Sequence, residues 1–236
     1  MMNKAIILAA GFGTRLKPIT DTTPKCLVTI KDIPLLEWWL KNLEKHGFKE
    51  VLINTHYLHE KVEDYINNQY HGKIKVTLIY EEELLGSAGT IRNNSYFYEN
   101  EDDFAIIYAD NLTDIDLSKM IKFHHDKNAI FTCGVFHTNK PKECGILATN
   151  DEGVVIEFEE KPKEPKSDLA NGGIYIVNKA CYPYFIDGNK FDIGKEVLPL
   201  LVNKMYAYPI NEYLLDIGSL DNLEKARREW KYDDNF

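Results

Sequence analysis

Apolar, strand-like runs alternate with segments of helical periodicity over the first 128 residues, and this alternation constrains the fold of the chain more than any other feature. The strand-like runs are 4–11, 49–57, 74–83 and 103–112, and the helical segments between them are 34–47, 58–70 and 87–98. The first helical segment has leucine and tryptophan at three- and four-residue spacing and ends at a glycine. This order predicts an α/β fold with right-handed crossovers and a mostly parallel sheet.

The pattern changes after residue 130, where short strand-like runs follow one another with few helices between them. These runs are 129–138, 145–151, 154–162 and 171–178. A helix over 193–203, a strand over 205–211, an apolar run over 213–218 and a final helix over 219–230 come next. We expect a small antiparallel elaboration of the sheet here. Because no low-complexity linker or internal repeat interrupts the sequence, a single domain over 1–236 is predicted.

The charge balance argues against nucleic-acid binding. With 28 Lys and Arg against 37 Asp and Glu, the formal net charge is -9, and no basic surface is expected to bind a polyanion. No apolar stretch is long enough to span a bilayer and no signal peptide is visible, so we expect a cytoplasmic protein that binds no membrane. Four widely spaced cysteines favour reduced thiols over zinc ligands or disulfides.

A glycine-rich loop follows the first strand. Gly11 and Gly13 leave the backbone without side chains, and the cations Arg15 and Lys25 follow them. Leu16 stands where a dinucleotide fingerprint needs its third glycine, and the P-loop pattern is absent. A G-x-G alone is typical of a tight turn, but the flanking cations favour a polyphosphate ligand.

Two acidic residues each end an apolar run. Asp110 closes "FAIIYAD", and Asp216 closes the apolar part of "YLLDIG". In open α/β sheets, ligands bind at the carboxyl ends of the strands, and two carboxylates at that edge suit Mg²⁺. The alternative is that each aspartate caps a turn.

Three further segments carry polar groups with two interpretations each. Lys161 in "EFEEKPKEP" is either a solvated lysine or a phosphate ligand. The segment 171–173, Asn-Gly-Gly, is either a turn at a strand start or a close approach to a polyhydroxyl ligand. The segment 86–89, Gly-Ser-Ala-Gly, either begins a helix with Ser87 as its cap or lets a flat base approach the backbone.

Taken in order, these motifs resemble the sugar-1-phosphate nucleotidylyltransferases, and mannose-1-phosphate guanylyltransferases in particular. "LAAGFGTRLKPITDTTPKCL" is similar to the family signature G-x-G-T-R-L-x-P-x-T followed by P-K-P-L. "GSAG", "YAD", "EEKP", "NGGIYI" and "LLDIG" then follow in the family order, so the resemblance covers nearly the whole chain. It implies a Rossmann-like three-layer sandwich and Mg²⁺-dependent transfer of a nucleotidyl group from an NTP to a sugar 1-phosphate, with release of pyrophosphate.

The resemblance also implies roles for particular residues. Residues 1–128 would mainly bind the nucleotide and 129–236 the sugar phosphate. The implied catalytic residues are Arg15, Lys25 and Lys161, and the metal ligands are Asp110 and Asp216. The nucleotide-binding set is Leu8, Ala10, Gly11, Gly13, Thr14, Arg15, Gly86, Ser87, Gly89 and Asp110. The sugar-phosphate set is Gly145, Glu160, Lys161, Asn171 and Gly172.

Departures from the family pattern bear on the choice of substrate. Cys26 replaces the second proline of P-K-P-L, and Ala10 stands where many relatives have glycine. "LLGSAG" is similar to the L-G-T-A-G of mannose-1-phosphate guanylyltransferases, which favours GTP and a mannose-, heptose- or hexosamine-type 1-phosphate. UTP, dTTP or CTP is the alternative. A non-catalytic nucleotide-sugar-binding subunit is disfavoured, since the implied cations and acids are all present. Self-association into a homodimer or homotetramer is compatible with the resemblance.

Overall fold

The computed structural model of the protein describes residues 2–185 and 191–231. Its strands are β1 (Lys4–Leu8), β2 (Thr29–Ile30), β3 (Ile33–Pro34), β4 (Glu50–Thr55), β5 (Lys75–Tyr80), β6 (Asp103–Tyr108), β7 (Asn111–Thr113), β8 (Phe131–His137), β9 (Gly145–Thr149), β10 (Val155–Glu160), β11 (Leu169–Asn178), β12 (Tyr206–Pro209) and β13 (Leu214–Asp216). Its α-helices are α1 (Leu35–Lys45), α2 (His59–Asn68), α3 (Ser87–Asn93), α4 (Leu117–Asp126) and α5 (Leu220–Glu229).

The central sheet joins a parallel block to an antiparallel one, as the sequence predicts. Within the described residues, its order is β10-β9-β11-β6-β1-β4-β5, with β8 pairing β11 and β12. Strands β6, β1, β4 and β5 are mutually parallel. Strand β11 runs antiparallel to β6, β8 and β9, and β10 runs antiparallel to β9. The first block comes from the alternating half of the sequence and the second from the short runs after residue 130.

Both faces of the sheet are covered, so the predicted three-layer sandwich is confirmed. Ile6 of β1 belongs to the apolar cluster that contains α3, whereas Ala5 and Ile7 belong to the cluster that contains α1, α2 and α4. Successive side chains of a strand point to opposite faces, and all three residues are fully buried. A strand buried on both faces has to be apolar throughout, which explains the continuous run at 5–8.

Three local predictions differ from the structure. The segment 193–203 is not a regular α-helix but one π-helical stretch, Ile193–Val197, followed by a 3-10 stretch, Leu198–Leu201. Pro199 lacks an N–H donor and its ring obstructs the preceding turn, so a continuous α-helix cannot form there. Helix α3 ends at Asn93, before the predicted end at 98. The segment 171–173 lies inside β11, at an irregularity of its pairing with β8, and not at a strand start.

No helix among the described ranges has the length and apolar character needed to cross a bilayer.

Candidate active site

A cleft of about 470 Å³ lies at the carboxyl ends of β1, β4 and β6. The loop that follows β1 forms one wall, and the segment leading into α3 forms another. Of the predicted site residues, those that line it are Leu8, Ala10, Gly11, Gly13, Thr14, Arg15, Lys25, Gly86, Ser87 and Asp110. The position agrees with the rule that open α/β sheets bind ligands outside the carboxyl ends of their strands.

Position 13 of this loop requires glycine for two separate reasons. Its φ of +64° is a left-handed conformation, and a Cβ atom there would lie 2.9 Å from the Thr20 side chain and 3.1 Å from Lys25 Cβ. The Thr20 hydroxyl donates a hydrogen bond to the Gly13 carbonyl over 2.8 Å, which holds the loop in place. A Cβ on Gly11, by contrast, would meet nothing within 4 Å. At Gly11 and Gly13 the loop therefore presents bare backbone to the cleft.

Four charged groups that are distant in sequence meet beside this loop. The Lys25 ammonium lies 2.7 Å from Asp110 Oδ2 and 3.8 Å from Asp216 Oδ1. The Arg15 guanidinium lies 4.0 Å from Asp216 Oδ2, with its side chain 65% exposed. Gly218 permits this approach, because a Cβ there would lie 2.7 Å from Arg15 Nη2 and 2.8 Å from Asp216 Oδ1. Sequence reasoning missed Gly218, although it lies within the quoted "LLDIG".

A small antiparallel ladder brings the two aspartates together. Strand β13 pairs with β7, with Asp216 opposite Asn111, and the Ile217 amide donates a hydrogen bond to the Asp110 carbonyl over 2.7 Å. The pKa of Asp216 is raised, first because neighbouring protein groups displace part of its hydration water and then because Asp110 repels its negative charge. Lys25 and Arg15 oppose this shift in the pKa of Asp216.

A separate apolar cluster fixes the segments that carry these charges. It contains Leu16, Val28, Leu112 and Ile217, which are buried and lie one to three residues after the four charged groups. Helix α5 contributes Leu223, Ala226 and, just beyond its end, Trp230 to the same cluster. Since neighbouring backbone is anchored in a core, the charged side chains extend from rigid positions.

The two carboxylates fit a hard divalent cation. Within residues 2–185 and 191–231, no group of three or more His, Cys, Asp or Glu side chains is arranged to hold a metal ion. Mg²⁺ does not need such a cage, because it commonly binds one or two carboxylates and completes its shell with water and substrate phosphates. Asp110 and Asp216 are 35% and 49% exposed, so their oxygens are accessible to an arriving ion.

A buried polar network forms another part of the cleft wall, and sequence reasoning missed it. Glu81, only 4% exposed, accepts hydrogen bonds from Asn54 Nδ2 and the Thr90 hydroxyl at Oε1, and from the Leu85 amide at Oε2. Asn54 in turn accepts a hydrogen bond from the Ala9 amide over 2.8 Å. Asn54, Glu81 and Thr90 all line the cleft. Glu81 comes directly after β5, so the strand-end rule that indicated Asp110 would have indicated it as well.

The Gly-Ser-Ala-Gly segment owes its composition to packing as well as to the cleft. Gly86 has a φ of +77°, and a Cβ there would lie 2.4 Å from the Phe191 carbonyl oxygen. Ser87 does not cap α3; its hydroxyl donates a hydrogen bond to Asp192 Oδ2 over 2.7 Å, and Asp192 lines the cleft. Gly89 is buried within α3, outside the cleft lining.

The residues predicted to bind the sugar phosphate do not line the cleft and lie towards the antiparallel block. Glu160 faces two glycines, since a Cβ on Gly145 or on Gly194 would lie 2.7 or 2.9 Å from its Oε2 atom. Burial raises the pKa of Glu160 and Asp192 adds to the shift, whereas the nearby Lys161 lowers this pKa. The Lys161 side chain is exposed to solvent.

The Asn-Gly-Gly segment forms an internally bonded irregularity of β11. Asn171 donates a hydrogen bond to the Tyr175 hydroxyl over 2.7 Å and accepts one from the Gly173 amide over 2.9 Å. Asn111 Nδ2 donates to the Gly172 carbonyl over 2.9 Å. Asn171 therefore holds the backbone of the segment, and through Asn111 the segment is tied to the strand that follows Asp110.

Comparison with known proteins agrees with this geometry. A family model described as nucleotidyl transferase matches residues 4–232. A UTP–glucose-1-phosphate uridylyltransferase of Synechocystis is 33% identical over 95% of this chain, which spans 62% of that protein. A D-glycero-alpha-D-manno-heptose 1-phosphate guanylyltransferase of Aneurinibacillus thermoaerophilus is 33% identical, with 97% of this chain and 99% of that protein covered. Glucose-1-phosphate adenylyltransferases also occur among the relatives.

The solved structures support the same assignment. HddC from Yersinia pseudotuberculosis, crystallised as a complex with GMP-PN, has a TM-score of 0.82 and 26% identity, and the match covers 98% of this chain and 100% of HddC. On the evidence of the cleft, the ordered motifs and these matches, the chain belongs to the nucleotidyl transferase family.

Proposed function

We propose that this protein transfers a nucleotidyl group from an NTP, with GTP favoured, to a mannose-, heptose- or hexosamine-type sugar 1-phosphate. The products are an NDP-sugar and pyrophosphate. The observation that carries the proposal is the meeting of Lys25, Arg15 and two strand-end carboxylates beside a loop of bare backbone. Relatives named as sugar-1-phosphate nucleotidylyltransferases support it.

The nucleotide end of the cleft would bind the triphosphate. Backbone N–H groups of the loop 11–15 offer donors to phosphate oxygens, and Arg15 is exposed enough to reach the outer phosphates. Asp110 and Asp216 would hold Mg²⁺, which when bound offsets the negative charge of the phosphates. Lys25, beside both acids, would contact the triphosphate and the attacking phosphate together.

The chemistry that follows needs positioning more than covalent catalysis. An oxygen of the sugar phosphate attacks the α-phosphorus of the NTP while the bond to the leaving pyrophosphate breaks. Both reactants are anions, so Lys25, Arg15 and Lys161 would lower the barrier by holding them in line and offsetting their charge. No protein nucleophile is required for this reaction.

The choice of GTP is supported by Glu81. An ionised carboxylate only accepts hydrogen bonds, and guanine presents N1–H and N2–H donors side by side, whereas uracil and thymine present one N–H on the same edge. Glu81 Oε2 accepts a single hydrogen bond from the protein, that of the Leu85 amide, in the part of the chain that the structure describes. It therefore keeps acceptor capacity towards a base. UTP, dTTP or CTP remains the alternative substrate.

The sugar phosphate would bind between the cleft and the antiparallel block. Lys161 would contact its phosphate, and Glu160 would accept hydrogen bonds from the sugar hydroxyls. Gly145, Asn171 and Gly172 would shape this end of the site. In this proposal residues 1–236 form one catalytic domain, with nucleotide-binding residues mainly in 1–128. The protein acts in the cytoplasm and can assemble as a homodimer or homotetramer.

A pyrophosphate-release assay tests the proposal. ATP, GTP, UTP, CTP and dTTP are each combined, at millimolar Mg²⁺, with a panel of hexose, hexosamine and heptose 1-phosphates. Release with GTP and a manno-configured sugar phosphate is the expected result. Release with another NTP would refute the choice of base while keeping the activity. Silence across the panel, with nucleotide binding retained in calorimetry, would favour a non-catalytic nucleotide-sugar-binding subunit.

A further inference from the structure

Asp110 and Asp216 both form ion pairs with the Lys25 ammonium. The ammonium is 2.7 Å from Asp110 Oδ2 and 3.8 Å from Asp216 Oδ1, so it offsets part of the negative charge of the two carboxylates that would hold Mg²⁺. The Lys25 side chain is only 12% exposed, and the contact is therefore shielded from solvent ions more than a surface ion pair is.

An ammonium and a divalent ion compete for these oxygens. Both are cations that bind the same carboxylates, and a second cation placed beside the first is repelled by it. The ammonium donates a hydrogen bond to Asp110 Oδ2 and forms a longer ion pair with Asp216, and both contacts must be given up if Lys25 is to move to a phosphate. A triphosphate offers the ammonium a new set of acceptors close by.

The local backbone confines any such movement to the side chain. Cys26, the next residue, is 2% exposed within the core, and the Val28 amide bonds to the Lys25 carbonyl over 3.2 Å. Lysine has a flexible four-carbon stem, so its ammonium can change partners while the backbone stays fixed. Gly13 leaves room for this stem, since a Cβ there would lie 3.1 Å from Lys25 Cβ.

We propose that Lys25 is a resident counter-ion of the Asp110–Asp216 pair, which it releases to a divalent cation when its ammonium moves to the triphosphate. The inference rests on the proposed function only in naming the triphosphate as the new partner. Its consequence is that the ligand-free protein binds a divalent cation weakly and that nucleotide and cation strengthen each other's binding.

Mn²⁺ binding to the ligand-free protein tests the exchange. The affinity is measured by titration calorimetry, and by the electron paramagnetic resonance signal of free Mn²⁺, for the wild type, Lys25→Gln and Lys17→Gln. Lys17→Gln is the matched control, because it removes the same charge from the same connection between β1 and β2. The Lys17 ammonium pairs with Asp21 Oδ1 at 3.0 Å. We expect Lys25→Gln to bind Mn²⁺ about tenfold tighter or more, and Lys17→Gln to change the affinity by less than about threefold.

An unchanged or weaker Mn²⁺ affinity in Lys25→Gln would overturn the proposal. Circular dichroism verifies that the variant folds, and if it does not, Lys25→Met is compared by the rise in Tm that Mn²⁺ produces in it and in the wild type. No nucleotide or sugar is present in these measurements. If Lys25→Gln does not bind Mn²⁺ tighter but the protein releases pyrophosphate, the proposed function stands and the exchange is refuted. If Lys25→Gln binds Mn²⁺ tighter but the protein is inactive, the exchange stands and the proposed function is refuted.

Discussion

The two ends of the cleft are built in different ways. At the proposed nucleotide end, each charged group lies within a short sequence motif, and the groups contact one another directly, as Lys25 and Asp110 do at 2.7 Å. At the sugar end, the polar groups are set by strand pairing and packing: Glu160 faces two glycines, and Asn171 bonds within its own strand. The comparison indicates that the charged cluster of the proposed nucleotide end is encoded by local motifs, whereas the polar groups of the proposed sugar end depend on tertiary packing.

Asp216→Asn gives the sharpest test of the nucleotide end. We expect turnover at millimolar Mg²⁺ to fall by about a thousandfold or more, because the amide lacks the charge that holds the ion and balances Lys25 and Arg15. Steady-state pyrophosphate release measures it, with circular dichroism to verify the fold and the exposed Asp221→Asn as the control. A near-normal rate would remove Asp216 from the metal site.

Glu81→Gln tests whether Glu81 recognises the base of the nucleotide. We expect kcat/KM for GTP to fall by about ten- to a hundredfold relative to that for UTP, because the amide replaces an acceptor with a donor towards guanine. Glu82→Gln is the matched control, being the next residue, of the same type and exposed. An equal loss for all NTPs would mean that Glu81 only supports the Asn54–Thr90 network.

Lys161→Ala probes the sugar end. The KM for the sugar 1-phosphate is expected to rise by about tenfold, while the KM for the NTP changes by less than about twofold, since Lys161 does not line the cleft that we propose binds the nucleotide. The exposed Lys163→Ala serves as the control in the same kinetic assay. Equal effects on both KM values would indicate a structural role for Lys161 and would weaken the division into two ends.

The smallest predicted effect compares the two ends of β6. Asp110 follows its carboxyl end and faces the cleft, whereas Asp103, at its amino end, accepts hydrogen bonds from His124, Asn178 and His125. Burial alone would raise the pKa of Asp103, but these three donors outweigh it and lower the pKa to about 2.

Because this pKa lies below the value of about 3.9 in the unfolded chain, the ionised carboxylate stabilises the fold. Its contribution of about 2 kcal/mol is complete above about pH 4 and is lost as the pH falls towards 2. Urea unfolding of the wild type and of Asp103→Asn across this range measures the difference. A constant difference in the free energy of unfolding between pH 2 and pH 6 would contradict the assignment, and turnover of the variant at pH 7 should be unchanged.

Much of the fold could be predicted because its signals are short-range. A strand buried on both faces must be apolar, and an amphipathic helix must repeat its apolar residues every three or four positions. The strand at 4–11 and the helix at 34–47 can therefore be predicted from their own residues. The segment 193–203 is the exception. Its apolar spacing predicts a helix, but Pro199 lacks an N–H donor, and the segment forms a π stretch followed by a 3-10 stretch.

The sequence by itself determined the α/β order, the bare backbone at Gly13, and the placement of Asp110 at a strand end. Only the tertiary structure decided that Asp216 lies opposite Asn111, which is more than a hundred positions away, that Glu81 alone of its three-glutamate run is buried, and that Phe191 leaves no room for a side chain at Gly86. Periodicity and turn chemistry act between neighbours along the chain. The pairing of distant strands and the burial of one charge in a run depend on the whole fold, where many weak contacts decide together.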